Sequence, residues 1–89
     1  MANTESLFQA LKRRGYECAK GNTAQGSVCI VQSGPSSKFD PPAEIHERFP
    51  RYPDNGGFQW RASGGIHSTT LDIDPEALAD QVIASISTD

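Results

Sequence analysis

Residues 4–14 and 74–86 each carry a single apolar stripe, and a helix greasy on one side must lean that side against something. In the first segment the stripe is Leu7, Phe8, Leu11 and, weakly, Ala10. Thr4 can cap this helix and Glu5 falls in its first turn. Lys12, Arg13 and Arg14 fall in its last turn, and Gly15 supplies a left-handed residue just beyond it. In the second segment Asp74 is the expected N-cap, Pro75 the first helical residue and Glu76 an anion where the helix dipole favours one. Leu78, Val82, Ile83 and Ile86 form its stripe. Two terminal helices with one-sided needs require the residues between them to build an apolar surface.

The middle of the chain has the residues for a sheet. Tyr16 to Ala19 reads as a short strand, followed by the polar connection Lys20 to Gly26. Val28-Cys29-Ile30-Val31 is a continuous apolar run flanked by Gly26 and Gly34, the pattern of a central strand covered on both faces. Phe58, Trp60 and Ala62 alternate with Gln59 and Arg61. Ser63-Gly64-Gly65 then turns the chain into a Thr- and Ile-rich strand over 66–73, which completes a hairpin with Leu71 and Ile73 on one face. Between the two hairpins, Asp40 as cap with Pro41 at the first helical position predicts a short helix over 43–49. It would bury Ile45 and Phe49 and end at Pro50. Arg51 to Gly57 is turn chemistry throughout.

The expected order is therefore α-β-β-(short α)-β-β-α. This is an α+β fold with an antiparallel sheet of about four strands in two hairpins, flanked by the N- and C-terminal helices. Eighty-nine residues are too few for two cores, so residues 1–89 are read as one domain.

Turning the first hairpin around residues 22–25 would place Cys18 opposite Cys29, Tyr16 opposite Val31 and Lys20 opposite Ser27. The two thiols would then be cross-strand neighbours, able to bond in an oxidising medium. Two small buried hydrophobes are the commoner use of such residues.

Charge is unevenly distributed. All eight basic residues and six of the eleven acids lie in residues 1–61. Residues 62–89 hold no Lys or Arg but five acids, Asp72, Asp74, Glu76, Asp80 and Asp89. No run approaches the roughly 18 apolar residues of a membrane span, and Met1 to Leu7 lacks the basic-then-apolar pattern of a secretory leader. A cytoplasmic protein without membrane partners is expected.

Chemistry-bearing motifs are sparse. Cys18, Cys29, His46 and His67 are zinc-ligand types, but separations of 11, 17 and 21 residues include no close-set pair, so no metal or cofactor is expected. His46 and His67 could act as acid and base on a phosphodiester held by Arg51 or Arg61. The general layout is similar to small HicA-type toxin domains that cut RNA. The histidine those domains carry after a Gly-Ser is replaced here, because Gly26-Ser27 is followed by Val28. The basic triplet Lys12-Arg13-Arg14 and the aromatics Phe58 and Trp60 hint at nucleic acid, whereas an isoelectric point near 5.2 opposes it.

What remains is surface. Glu44 and Glu47 would share one side of the middle helix, and Glu76 and Asp80 one side of the last, which has no basic residue to pair with them. Arg51, Tyr52, Trp60 and Arg61 are residue types favoured at protein interfaces. These eight residues are the expected contacts of a non-enzymatic regulatory protein that binds a protein partner with a basic surface. A mobile-element inhibitor of a host nucleic-acid-binding complex would be one such factor. The alternative is an RNA-binding or RNA-cleaving toxin-like domain using His46 and His67 with nearby arginines.

Overall fold

The structure, a computed structural model, describes residues 2–24, 26–35, 38–48, 56–62 and 65–86. Helix α1 spans Thr4–Arg13 and buries Leu7, Ala10 and Leu11, with Phe8 half-buried beside them. Its cap is Asn3 rather than Thr4: the Asn3 side chain accepts from the Ser6 N–H at 2.7 Å, and Ser6 Oγ accepts from the Asn3 N–H at 2.9 Å. Gly15 ends the helix at φ +87°, the left-handed conformation expected of it. At the other end of the chain, α2 spans Pro75–Ile86, and Asp74 Oδ2 accepts from the N–H groups of Glu76 and Ala77 at 3.0 and 3.3 Å. Leu78, Ala79 and Val82 are its fully buried residues, and Ile83 and Ile86 pack at the margin of the core.

Between the helices run five strands: β1 (Glu17–Thr23), β2 (Gly26–Ser33), β3 (Lys38–Arg48), β4 (Gly57–Ala62) and β5 (Gly65–Thr69). Each pairs antiparallel with the next, giving a simple meander in the order β1-β2-β3-β4-β5. The α+β class and the two flanking helices are as expected, with one strand more than the expected four.

That extra strand replaces the short helix expected over 43–49. Ala43, Ile45 and Glu47 alternate with Glu44, His46 and Arg48, and this period of two suits a strand as well as Ile45 and Phe49 suit a helix. A tertiary demand decides between the two readings. The apolar run in β2 has backbone donors and acceptors on both edges, and β3 satisfies the second edge from Gly26↔Arg48 to Val31↔Ala43. The Asp40-Pro41-Pro42 signal is spent on the irregular stretch between the pairs Val31↔Ala43 and Ser33↔Lys38, where a residue without an N–H loses little. Close approach of the strands also fixes one glycine: a Cβ on Gly26 would lie 1.9 Å from the Glu47 carbonyl oxygen.

The first hairpin is shifted from its expected register. Thr23 pairs with Gly26, so Cys18 lies opposite Val31 and Lys20 opposite Cys29. The shift is of two residues, so both sulfurs stay on the same face as diagonal neighbours, and both are free thiols.

The ladder partners also define the faces of the sheet. Val31 and Cys29 of β2, Ile45 of β3, and Phe58 and Trp60 of β4 point to one side and form a single core with Leu7, Leu11, Leu78 and Val82 of the helices. On the other side lie Ile30, Glu44, His46, Gln59, Arg61, Ile66 and Ser68, and no described helix covers them. The β2 strand is paired on both edges, as its sequence suggests, but it is second rather than central in the order and the helices cover only one of its faces.

Candidate binding cleft between strands β3 and β4

The β3–β4 ladder is short. It runs from Arg48↔Gly57 to Ile45↔Trp60 and stops there, although β3 continues back to Lys38 and β4 forward to Ala62. Beyond the last pair the strands diverge: β3 stays with β2, while Arg61 and Ala62 stay with Ile66 and Gly65 of β5. A cleft of about 570 Å³ opens in the fork, within the size range of ligand sites. Ala43, Trp60 and Ile86 line its deeper part, where the fork opens onto the core and the end of α2. Phe39, Pro42 and Ile66 add apolar wall, and Glu44, His46 and Arg61 supply charge.

The polar groups at this cleft differ in how they are satisfied. Glu44 and His46 lie two apart on the open face, with His46 Nε2 3.2 Å from Glu44 Oε1. Arg61 is one step past the last ladder pair and would have met Glu44 had the pairing continued. It makes no ion pair or hydrogen bond among the described residues. Its ladder partner Ile66 is 61% exposed, the sole large hydrophobic residue among those described to be so open to solvent.

Trp60, by contrast, belongs to the core. Its indole is 3% exposed, its N–H donates to Ser85 Oγ at 2.7 Å, and that hydroxyl donates to the Val82 carbonyl at 2.8 Å. The His67 ring stacks on it with centroids 5.6 Å apart and planes 12° from parallel, and His67 Nε2 is buried with no partner among the described residues. His67 therefore faces the helices while His46 faces the open side, so the two imidazoles cannot act on one substrate atom. The same division separates Cys18 and Cys29 from His46. No group of three or more metal-ligand side chains forms among the described residues.

Of the eight expected contact residues, Glu44 and Arg61 come together at the cleft, with Trp60 below them. Glu47 turns inward, where its Oε1 accepts from the Thr4 N–H at 2.6 Å and the Thr4 hydroxyl at 2.7 Å, anchoring the start of α1 on the sheet. Glu76 pairs with Arg13 and, at 2.8 Å, with Arg14, whose guanidinium also reaches Asp80 at 3.2 Å. The Arg14 guanidinium, with Arg13 beside it, holds the Glu76 carboxyl below its usual range. Those two acids find their cations on the neighbouring helix, which weakens the case for a basic partner there. The same pairing neutralises two of the three residues in the basic triplet. Arg51 and Tyr52 lie outside the described residues.

Sequence reasoning missed Phe39, Pro42, Ala43, Ile66 and Ile86 as one site, because they come from three elements that only the fork brings together. One signal was available: prolines inside a strand mark an edge that cannot carry a full ladder. Comparison with known proteins returns no match, whether to family models, to curated proteins or to solved structures. No helix among the described residues is long and apolar enough to cross a membrane.

Proposed function

We propose that this chain is a non-enzymatic binding protein of the cytoplasm that captures a protein partner in the fork between β3 and β4. One observation carries the reading: a largely apolar cleft opens in the fork, and its lining includes a guanidinium with no partner among the described residues and, as its cross-strand neighbour, an exposed isoleucine. Concave apolar walls with few polar groups are the usual composition of a recognition site, and an arginine beside apolar surface is a favoured anchor. Beyond Ile45↔Trp60 the edges of β3 and β4 no longer pair with each other, and an incoming extended segment can use the backbone there. Catalysis by paired histidines draws no support, since His46 and His67 face opposite sides of the sheet.

The test is affinity capture with the wild-type chain and two variants. Ile66→Asp should lose the partner, whereas Asp80→Lys, on the far helix, should retain it. A partner indifferent to Ile66→Asp and lost with Asp80→Lys would move the interface to the helices and end this reading. RNA cleavage by the purified protein, abolished by His46→Ala, would replace it with the enzymatic one.

A further inference from the structure

We infer that the fork receives the carboxyl terminus of its partner, with an apolar last side chain against Ile66 and Phe39 and the terminal carboxylate on Arg61. The inference rests on the reading of the cleft as a protein-binding site and names what that site would take. Three features of the cleft converge on it.

The first is charge. Arg61 is an exposed guanidinium with no anion among the described residues, at the edge of an otherwise mostly apolar recess. Glu44 is the nearest acid by register, but its Oε1 is engaged by His46 at 3.2 Å. A guanidinium presents parallel N–H donors that match both oxygens of a carboxylate. Among the described residues no other Lys or Arg lines the cleft, so the complementary ligand carries one negative charge at this point. A phosphate chain would call for several cations along its path.

The second is polarity. Ile66 is the direct cross-strand neighbour of Arg61, and Phe39, Pro42 and Ile86 continue the apolar surface inward. The anion must therefore be attached to a bulky apolar group. A terminal aliphatic or aromatic residue has both, one bond apart.

The third is shape. The fork narrows to the pair Ile45↔Trp60, and Arg61 sits one residue from that apex. A chain entering from the wide end meets converging strands at the point where Arg61 waits. A chain end fits there, whereas an internal acidic residue would need room for the polypeptide to leave again. On the way in, the extended segment runs beside β3 and β4 backbone that has lost its ladder partner, the mode by which strands are added to open edges.

The experiment uses the full chain and hexapeptides whose last residue is Leu, Ile, Val or Phe, each as free acid and as C-terminal amide. A further set carries an internal Asp after the same apolar residue and ends in an amide. Binding is read by titration calorimetry and by the fluorescence of Trp60, the sole tryptophan, which lines the cleft. The free acids should bind about tenfold more tightly than their amides, the scale of a charge-assisted hydrogen bond. Arg61→Gln should bring that ratio close to one. Glu44→Gln should tighten the acids by removing the acid nearest Arg61 by register among the described residues. Equal binding of acid and amide, or of terminal and internal carboxylates, overturns the inference. If those peptides still fail on Ile66→Asp, the cleft itself stands as a protein-binding site. Absence of binding by every peptide also overturns the inference, and the capture experiment then decides the broader reading separately.

Discussion

The two faces of the sheet follow different rules, and β3 shows the difference within a few residues. Ile45 points to the helices and is fully buried, in contact with the layer that holds Phe58, Trp60, Leu78 and Val82. Its neighbours Glu44 and His46 point the other way, pair with each other and stay largely in water. On the covered face the side chains packed against the helices are mostly apolar, with Glu47 and His67 as polar exceptions. On the open face aliphatic, charged and amide side chains alternate across strands, and Ile66 stands 61% exposed. Side chains with few packing demands can be chosen for recognition, and Arg61 and Ile66 in the lining of the fork are of that kind.

The sharpest way to break this contrast is to truncate one isoleucine on each face. Ile45→Ala should lower unfolding free energy by roughly 2–5 kcal/mol, because the fully buried site leaves a cavity. Ile66→Ser should change it by no more than about 0.5 kcal/mol, as for other exposed positions. Urea denaturation measures both. Comparable losses would mean that the open face is part of the folding core.

A smaller effect is expected from the polar contact that crosses the covered face. Ser85→Ala leaves the buried Trp60 N–H without its acceptor, and an unsatisfied buried donor costs about 1–3 kcal/mol. Denaturation would show the loss, and the indole N–H resonance of Trp60 would move away from its hydrogen-bonded position. An unchanged resonance would show that water or another acceptor replaces the hydroxyl.

How far the fold was legible follows from the same division. Both helices were readable because their caps, stripes and stops are local: Asp74-Pro75, Gly15 and the spacing of Leu78 and Val82 act within one or two turns. Strand β3 was not, because the dipeptides that predict a helix there are local while the reason for a strand is the unpaired edge of β2. The hairpin register slipped by two for a related reason, since one turn length or another leaves the same residues on the same faces. Within the site, Arg61 and Glu44 were legible as exposed charges. Their convergence was not, because it depends on where the ladder stops. Glu76 and Asp80 were misread because intrahelical spacing says nothing about Arg13 and Arg14 on the other helix.

The covered face also contains a gradient within itself, readable from its two thiols. Cys29 is fully buried, and the neighbouring Cys18 thiol together with burial pushes its ionisation far up. Cys18 is half-buried, its thiol lies 3.9 Å from the Tyr16 carbonyl, and the neighbouring Cys29 thiol lowers its ionisation, with help from Lys12. Reactivity follows the thiolate and its access, so iodoacetamide should label Cys18 first in the native protein and reach Cys29 only on unfolding. Mass mapping of the labelled peptides checks it. Equal labelling under native conditions would show that the core beneath β1 opens readily.

The smallest effect belongs to the rim where the helices meet, outside both faces. The Glu76 carboxyl is held below its usual value of 4.5, first by its hydrogen bond to Arg14 and then by Arg13. A group whose ionisation is depressed in the folded state adds stability that is complete above its unfolded value. That stability is lost as pH falls through the folded one. The thermal midpoint should therefore fall along an acid limb below about pH 4.5, and Glu76→Gln should make that limb shallower while leaving the neutral plateau almost unmoved. Salt should flatten the wild-type limb in the same direction, because the pair is exposed and screened by counter-ions. Ile66→Ser, remote from that rim, should leave the limb intact. If instead it altered the acid limb as much as Glu76→Gln does, the open face and the helix rim would be coupled through the sheet, and the independence of the two faces would have to be given up.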